Sequence, residues 1–577
     1  MKAGIAKHLI LAVCCSLAAR VSMAGDVDHM VVHDVPREKL VKQFGRIPGQ
    51  KLLAEDLAEL AAYTFEGDTL RLLAVLVEWT DRPGTYPRES FDSLLFSRDI
   101  FPGGSVADYF REVSYGQMEL TGDVIDWFNA GAYSPYFDFS SLFDDLDPIV
   151  DYSLYDGDGD HKVDAVCFIR SGNGEEDSGD PNDIWSYATS RPSGWGPFDN
   201  IKINRYNTSP ETRPLRDPAN PTQFLGVDTR NRIRVFCHEL SHNLGLYDLY
   251  DYDYKLTYSS FTTPGDFNDH PIYDWCLMGY YGYGLFSIGS DIPSHLCGWS
   301  KAELGWIEPI TLAEDFAGEI TLRNIETETD SALFLLPIDM SQGEYFLLEY
   351  RNPQSAAQYD RYDSDFSCYF WPNLTYGCDP LDRGLLITHA HDSLVPDEDF
   401  VTMNSGTPRY AHYSVIIEDI GYNPDRPASF NPEGHPTDSA QWWYPYESRK
   451  GALLSDDVDG QSEFGPQTYP SSDGYGGRSG IYVRVDSIVS DRLYARVDMD
   501  YSEPPCCVLP GDIDHNGQLD ALDIGYFVEY IWLNGPAPEC DEEADVDGND
   551  QIDALDVVYL VDYFFIVGAP PPADCPQ

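Results

Sequence analysis

The chain has 577 residues, with 97 acidic side chains against 37 basic ones and a formal net charge of −60 at pH 7. That length exceeds what a single core organises, so two to four domains are expected, and an aromatic share of 14% gives them material to bury. The charge excludes nucleic acid as a partner, because phosphate is repelled; acids clustered as Asp-x-Asp runs point to calcium ligation, and the remainder to a solubilising surface.

Residues 1–24 read as a secretory signal peptide: Lys2 and Lys7, an apolar stretch from His8 to Ala19, and small residues at Ser22 and Ala24 before Gly25. No other stretch is long and apolar enough to span a bilayer. The mature chain is therefore expected outside the cytoplasm, without a membrane span. Ten cysteines remain after the signal is removed, and an oxidising compartment lets them pair; Cys368 and Cys378, bracketing a short loop, are the first expected pair. Residues 25–68 are polar and helix-prone, a propeptide or a helical N-terminal extension. Strand signal begins with the apolar run Leu70–Val77. Alternating helix, strand and loop then continue to about Pro309, which predicts an α+β domain over 69–310. Inside it, Asp156, Asp158, Asp160 and Asp164 stand at positions 1, 3, 5 and 9 of one run. Oxygen ligands at those intervals suit a calcium loop, against the alternative of a solvated acidic turn.

The most informative stretch is His238-Glu239-Leu240-Ser241-His242, continuing as Asn243-Leu244-Gly245-Leu246-Tyr247-Asp248. On a helix, His238 and His242 fall one turn apart on one face and can grip a single Zn²⁺. Glu239 stands beside the metal yet off it, the natural proton acceptor for water held there. Gly245 lets the chain turn sharply and bring Asp248 back as a third ligand. Three protein ligands leave one position open, the arrangement of a catalytic zinc. Some thirty residues on, Asp274-Trp275-Cys276-Leu277-Met278-Gly279-Tyr280 looks like the methionine turn of metzincin-type proteases. There Met278 is expected to pack beneath the metal. Tyr280 is a candidate oxyanion stabiliser, weighed against an ordinary loop aromatic.

From about Leu70 to Asp500 the chain resembles the M6 family of secreted metallopeptidases, the immune-inhibitor-A-like group. The resemblance rests on HExxHxxGxxD, the methionine turn, Lys301-Ala302-Glu303-Leu304-Gly305-Trp306, the segment Ser105–Gly116 and the segment Ser171–Glu176. It implies His238, His242 and Asp248 as zinc ligands, Glu239 as the base, a zincin-like fold and hydrolysis of peptide bonds in protein or peptide substrates. Ser241 and Asn243 depart from the expected Gly and Asp, but both fall between the site residues.

Beyond 311 the pattern changes to short alternating runs separated by Gly, Pro, Asn and Asp. These include Glu319–Leu322, Ala332–Leu336, Tyr345–Tyr350, Leu385–His389, Tyr413–Ile417 and Ile481–Val485. They predict a β-rich, sandwich-like domain over 311–500. His389 and His391 share one face of a strand there, either as a metal pair or as packed strand histidines. Residues 501–510 form a linker. The segment 511–570 then holds an internal repeat at an offset of 33 residues, from Asp512 to Asp545. Its first loop presents Asp512, Asp514, Asn516, Asp520 and Asp523; its second presents Asp545, Asp547, Asn549, Asp553 and Asp556. Each fits an EF-hand-like calcium loop, and an apolar helical pattern follows each, so folding is expected to depend on Ca²⁺. The duplicated segment resembles a dockerin. That implies two calcium ions, a cohesin partner on a scaffold or cell surface, and recognition through Ala521 and Leu522 and through Ala554 and Leu555. The alternative is a purely structural calcium tail. The reading as a whole is a multidomain secreted zinc endopeptidase tethered by a dockerin; the competing reading is a non-catalytic binding protein anchored the same way.

Overall fold

The computed structural model describes residues 31–32, 68–101, 103–217, 220–249, 272, 275–279, 293–352, 383–392, 401–402, 412–413, 415–417, 453–454, 462–466, 472, 479–501, 509–514, 516–533, 535–536, 538, 540–549, 551–566 and 572. The expected signal peptide, Cys368, Cys378 and Tyr280 lie outside them. The chain divides into two compact units, Met1–Asp500 and Tyr501–Gln577.

The first unit opens with a seven-stranded mixed sheet. Its strands are β1 (Val31–Val32), β2 (Thr69–Glu78), β3 (Glu119–Asn129), β4 (Ala165–Asn173), β5 (Tyr187–Phe198), β6 (Ile201–Asp217) and β7 (Asn220–Arg230), in the order β1-β5-β6-β4-β2-β3, with β7 paired to β6. The β2–β3, β2–β4 and β4–β6 pairs are parallel; the β1–β5, β5–β6 and β6–β7 pairs are antiparallel. The continuous apolar run in β2 follows from burial on both faces. Leu72, Ala74 and Leu76 enter a core that they share with three helices, α1 (Arg88–Phe96), α2 (Val106–Val113) and α3 (Ile233–Asn243). Their alternates Leu73, Val75 and Val77 enter an aromatic core with Phe139, Phe143, Phe168 and Tyr206.

Helix α2 starts in a capping box between Ser105 and Asp108, and after its C-cap Ser114 the chain turns through Tyr115 and Gly116, both with positive φ. A short helix, α4 (Gly298–Glu303), precedes the β-rich part. There β8 (Ile310–Thr311), β10 (Leu333–Asp339), β11 (Glu344–Arg351), β12 (Gly384–His391), β15 (Val415–Ile417) and β16 (Leu453–Leu454) form one sheet. A second sheet joins β9 (Ala317–Arg323), β17 (Glu463–Phe464), β18 (Tyr482–Val489) and β19 (Arg492–Asp498), and β13 (Val401–Thr402) pairs separately with β14 (His412–Tyr413). The two larger sheets share one core: Leu336, Phe346, Leu348 and Ile387 from the first meet Leu322, Val483, Leu493 and Val497 from the second. That is a sandwich, as the alternation predicts. Strand β19, not among the expected runs, buries Leu493, Ala495 and Val497 on alternate positions.

The outer face of β11 is buried too. Tyr345 and Leu347 pack with Ile307 and Ile325, against which Trp299 and Tyr115 lie. Polar contacts join the residues on either side of position 310. Arg351 donates to the Trp275 carbonyl at 2.7 Å, and Lys301 donates to the Tyr115 hydroxyl and the Ile325 carbonyl at 2.8 and 2.9 Å. His389 is buried, 3.0 Å from Glu344 and against the Phe346 ring. It is thereby accounted for as a packed, paired strand histidine.

The second unit contains α5 (Ala521–Leu533) and α6 (Ala554–Phe565) around a small core of Ile513, Phe527, Ala544, Val546, Val557 and Leu560. Ile513 and Val546, like Phe527 and Leu560, occupy equivalent positions of the repeat. Cys540 is disulfide-bonded.

Candidate functional site

Helix α3 is buried from Ile233 to Asn243 except at Val235. Phe236, Cys237 and Leu240 anchor it in the core against the sheet. The same turns carry the polar residues of the site. His238 and His242 stand one turn apart, ring centroids 5.0 Å from each other and planes at 89°. After the helix, Gly245 takes φ 107°, a conformation that costs glycine little, and the chain reverses. The reversal returns Asp248 to the histidines: its Oδ1 lies 3.0 Å from His238 Nε2 and 3.4 Å from His242 Nε2. Ligand atoms of all three residues lie within 4.8 Å of one another, and all three side chains are buried.

Backbone carbonyls fix both rings. His238 Nδ1 donates to the Leu277 carbonyl at 2.9 Å, and His242 Nδ1 to the Leu246 carbonyl at 2.8 Å. A carbonyl only accepts, so each Nδ1 carries the proton and each Nε2 keeps its lone pair for the centre. The segment around Met278 lies beside the site. Met278 is fully buried, and its carbonyl accepts from the Leu249 N–H at 2.8 Å, stitching the turn to the residue after Asp248. Burial alone would raise the Asp248 carboxyl; in the ion-free site, protonated imidazoles facing it outweigh burial and hold the group well below the usual carboxylate range. Two imidazole nitrogens and one ionised carboxylate, buried and convergent, are a donor set that fits Zn²⁺. Glu239 is completely buried on the same turn and stands apart from that trio.

The two departures from the expected motif have local uses. Ser241 donates to the Cys237 carbonyl at 2.8 Å. Asn243 accepts from Asn207 of β6 at 2.9 Å, and its carbonyl accepts from Arg205 at 2.6 Å, which ties the end of α3 to the sheet. Arg205, Asn207 and the Leu246 and Leu277 carbonyls carry no signal in the motif. They come from distant strands or from the backbone, which a side-chain pattern does not report.

In the loop before β4, Asp156, Asp158 and Asp164 converge, while Asp160 turns aside to Lys162, 2.8 Å away. Burial pushes the Asp164 carboxyl up to about 7, against N–H donors from Arg71 and Gly157 that favour the charged form. A carboxyl raised in the fold stabilises at low pH, and that contribution is lost as pH rises through its folded value. With calcium chelated, the wild type is therefore expected to lose stability relative to Asp164→Asn between about pH 4 and pH 7. Thermal unfolding of both proteins across that window checks it; parallel profiles would refute it.

In the second unit Asp512, Asp514 and Asp523 converge, as do Asp545, Asp547 and Asp556. The last of each set binds the loop backbone: Asp523 accepts from Ile513 N at 2.8 Å and Asp520 N at 2.7 Å, and Asp556 from Asp547 N at 3.1 Å and Asp553 N at 2.9 Å. Asp520 and Asp553, expected among the ligands, also cap the helices, accepting from Leu522 N and Leu555 N at 2.7 and 2.6 Å through one oxygen each. Asn516 and Asn549 donate backbone N–H to Asp512 and Asp545. Gly517 takes the left-handed turn of the first loop at φ 83°; its counterpart Asp550 lies outside the described residues. Leu522 and Leu555 are 67% and 59% exposed at equivalent positions, with Ala521 exposed and Ala554 half-buried beside them.

Residues 510–564 match the family described as the dockerin type I domain. This supports calcium binding by the segment and calcium-dependent attachment to a cohesin; dockerin proteins are typically extracellular and scaffold-associated. No curated protein matches the chain. No helix among the described residues is long and apolar enough to cross a membrane. The M6 resemblance rests on the residues alone.

Proposed function

We propose that the chain is a secreted, zinc-dependent endopeptidase of the M6, immune-inhibitor-A-like kind, carried on a cohesin-bearing scaffold or surface by its C-terminal segment. The observation that carries this reading is the return of Asp248 to His238 and His242, beside a buried Glu239 that is not one of the trio. A structural zinc site closes with four protein ligands; three ligands and a spare carboxylate suit catalysis.

His238, His242 and Asp248 would hold the ion. Bound there, zinc would supply Lewis acidity toward a scissile carbonyl and toward water beside Glu239. Glu239 accepts the proton from that water and returns it to the leaving amine. The carbonyls of Leu277 and Leu246 keep both imidazoles in the tautomer that ligation requires. The reading is tested by hydrolysis of casein with and without a zinc chelator, alongside metal analysis and the Glu239 variant. Zinc binding without chelator-sensitive hydrolysis would favour the non-catalytic reading.

Tethering has its own test. The two exposed leucines lie at equivalent positions, so either half of the repeat offers the same recognition pair. Leu522→Asp or Leu555→Asp alone is expected to change cohesin affinity by about twofold, the statistical loss of one of two equivalent modes. The double variant is expected to lose binding. Calorimetry against cohesins from the same organism reads both; loss of binding in one single variant would eliminate the two-orientation arrangement.

A further inference from the structure

Among the described residues of the first unit, four thiols are free and buried: Cys167, Cys237, Cys276 and Cys297. Two of them meet. Cys276 lies in the methionine turn, and Cys297 is the residue at which α4 begins. The Cys297 N–H donates to Cys276 Sγ at 3.4 Å, and Ser300 Oγ touches both sulfurs, 3.5 Å from Cys276 and 3.4 Å from Cys297. The thiols are also in hydrogen-bonding contact with each other. The remaining pair is placed differently. Cys167 bonds Ser209, and burial alone acts on Cys237.

We propose that Cys276 and Cys297 are joined by a disulfide in the secreted protein. The two thiols give up two protons and two electrons to a small-molecule disulfide of the glutathione type, which leaves as two thiols. The route is attack by one thiolate, a mixed disulfide, and displacement by the second. Both sulfurs are completely buried in the folded chain, so exchange belongs to folding, before the turn closes.

The bond would act on the centre through one residue. Leu277 follows Cys276, and its carbonyl holds the His238 ring; its N–H is already tied to the His295 carbonyl at 3.1 Å. A crosslink from Cys276 to the start of α4 thus fastens the segment that orients one imidazole. The inference does not rest on peptidase activity.

The experiment is peptide mapping of the full chain exported through an oxidising compartment, denatured and alkylated without reductant. The expected product is a Cys276–Cys297 linked peptide ~2 Da below the sum of its parts, two hydrogens having left, with Cys167 and Cys237 alkylated as thiols. Alkylation of Cys276 and Cys297 as thiols, or linkage of either to another cysteine, overturns the proposal. In Cys297→Ser, Cys276 is expected to alkylate; a Cys276 still protected there refutes the pairing. Mapping requires no catalysis, so its failure would leave the peptidase reading standing, and the reverse holds too.

Discussion

Glu239→Ala is expected to lower the rate of casein hydrolysis by about 10³-fold or more, the scale on which a positioned general base acts, while zinc content stays near one ion per chain. The argument is geometric. His238, His242 and Asp248 converge with each other, and Glu239 is not in that group. Removing it takes away the proton acceptor and leaves the ligand set complete. Its neighbours on α3 remain held by the core and by Asn207 and Arg205, so the helix keeps its place. Asp248→Ala separates the two roles, because it is expected to lose zinc and activity together. Metal analysis of purified proteins beside the rate measurement reads both effects. Full activity in Glu239→Ala, or zinc lost with the glutamate, would remove Glu239 from the role of base.

Calcium chelation is expected to unfold residues 501–577 while the first unit stays folded. The C-terminal core is small, built on Ile513, Phe527, Ala544, Val546, Val557 and Leu560. Around it, two sets of three carboxylates are held together. Burial raises the Asp523 and Asp556 carboxyls, the sign of a charged form that is unfavourable unless a cation compensates it. A ligand that binds only the folded state at a thousandfold over its dissociation constant contributes ~4 kcal/mol, comparable with the whole stability of so small a domain. Hydrogen exchange in the full chain is the measurement. Peptides from α5 and α6 should lose protection in chelator and regain it with calcium, whereas peptides from β2 and β4 should not change. Asp523→Ala is expected to give the same loss for α5 at calcium concentrations that protect the wild type. Unchanged protection of α5 and α6 in chelator would show that the unit stands without the ion.

The helix carrying both histidines, the strand at Leu70–Val77 and five of the six β-rich runs were legible because periodicity and spacing are local properties. The sixth, Tyr413–Ile417, is described only in part, without Ser414. The duplicated calcium loops were legible for the same reason, since a ligand pattern of twelve residues lies within one turn of chain. The capping bonds of Asp520 and Asp553 were not, because a ligand and an N-cap ask for the same residue at the same place. Only the backbone path decides that their oxygens meet Leu522 N and Leu555 N. Asp160 is a similar case: its interval fits a ligand, and the fold also brings Lys162 to 2.8 Å from it.

The sequence by itself determined the chemistry available: two imidazoles one turn apart, a carboxylate between them, a glycine where the chain must reverse, and a repeated run of calcium-type acids. Only the tertiary structure decided that Asp248 returns to both imidazoles, that the Leu246 and Leu277 carbonyls fix their tautomers, and that Cys276 meets Cys297. Those outcomes depend on backbone groups, which a side-chain pattern does not report, and on the approach of residues 277 and 297 to partners distant in the chain.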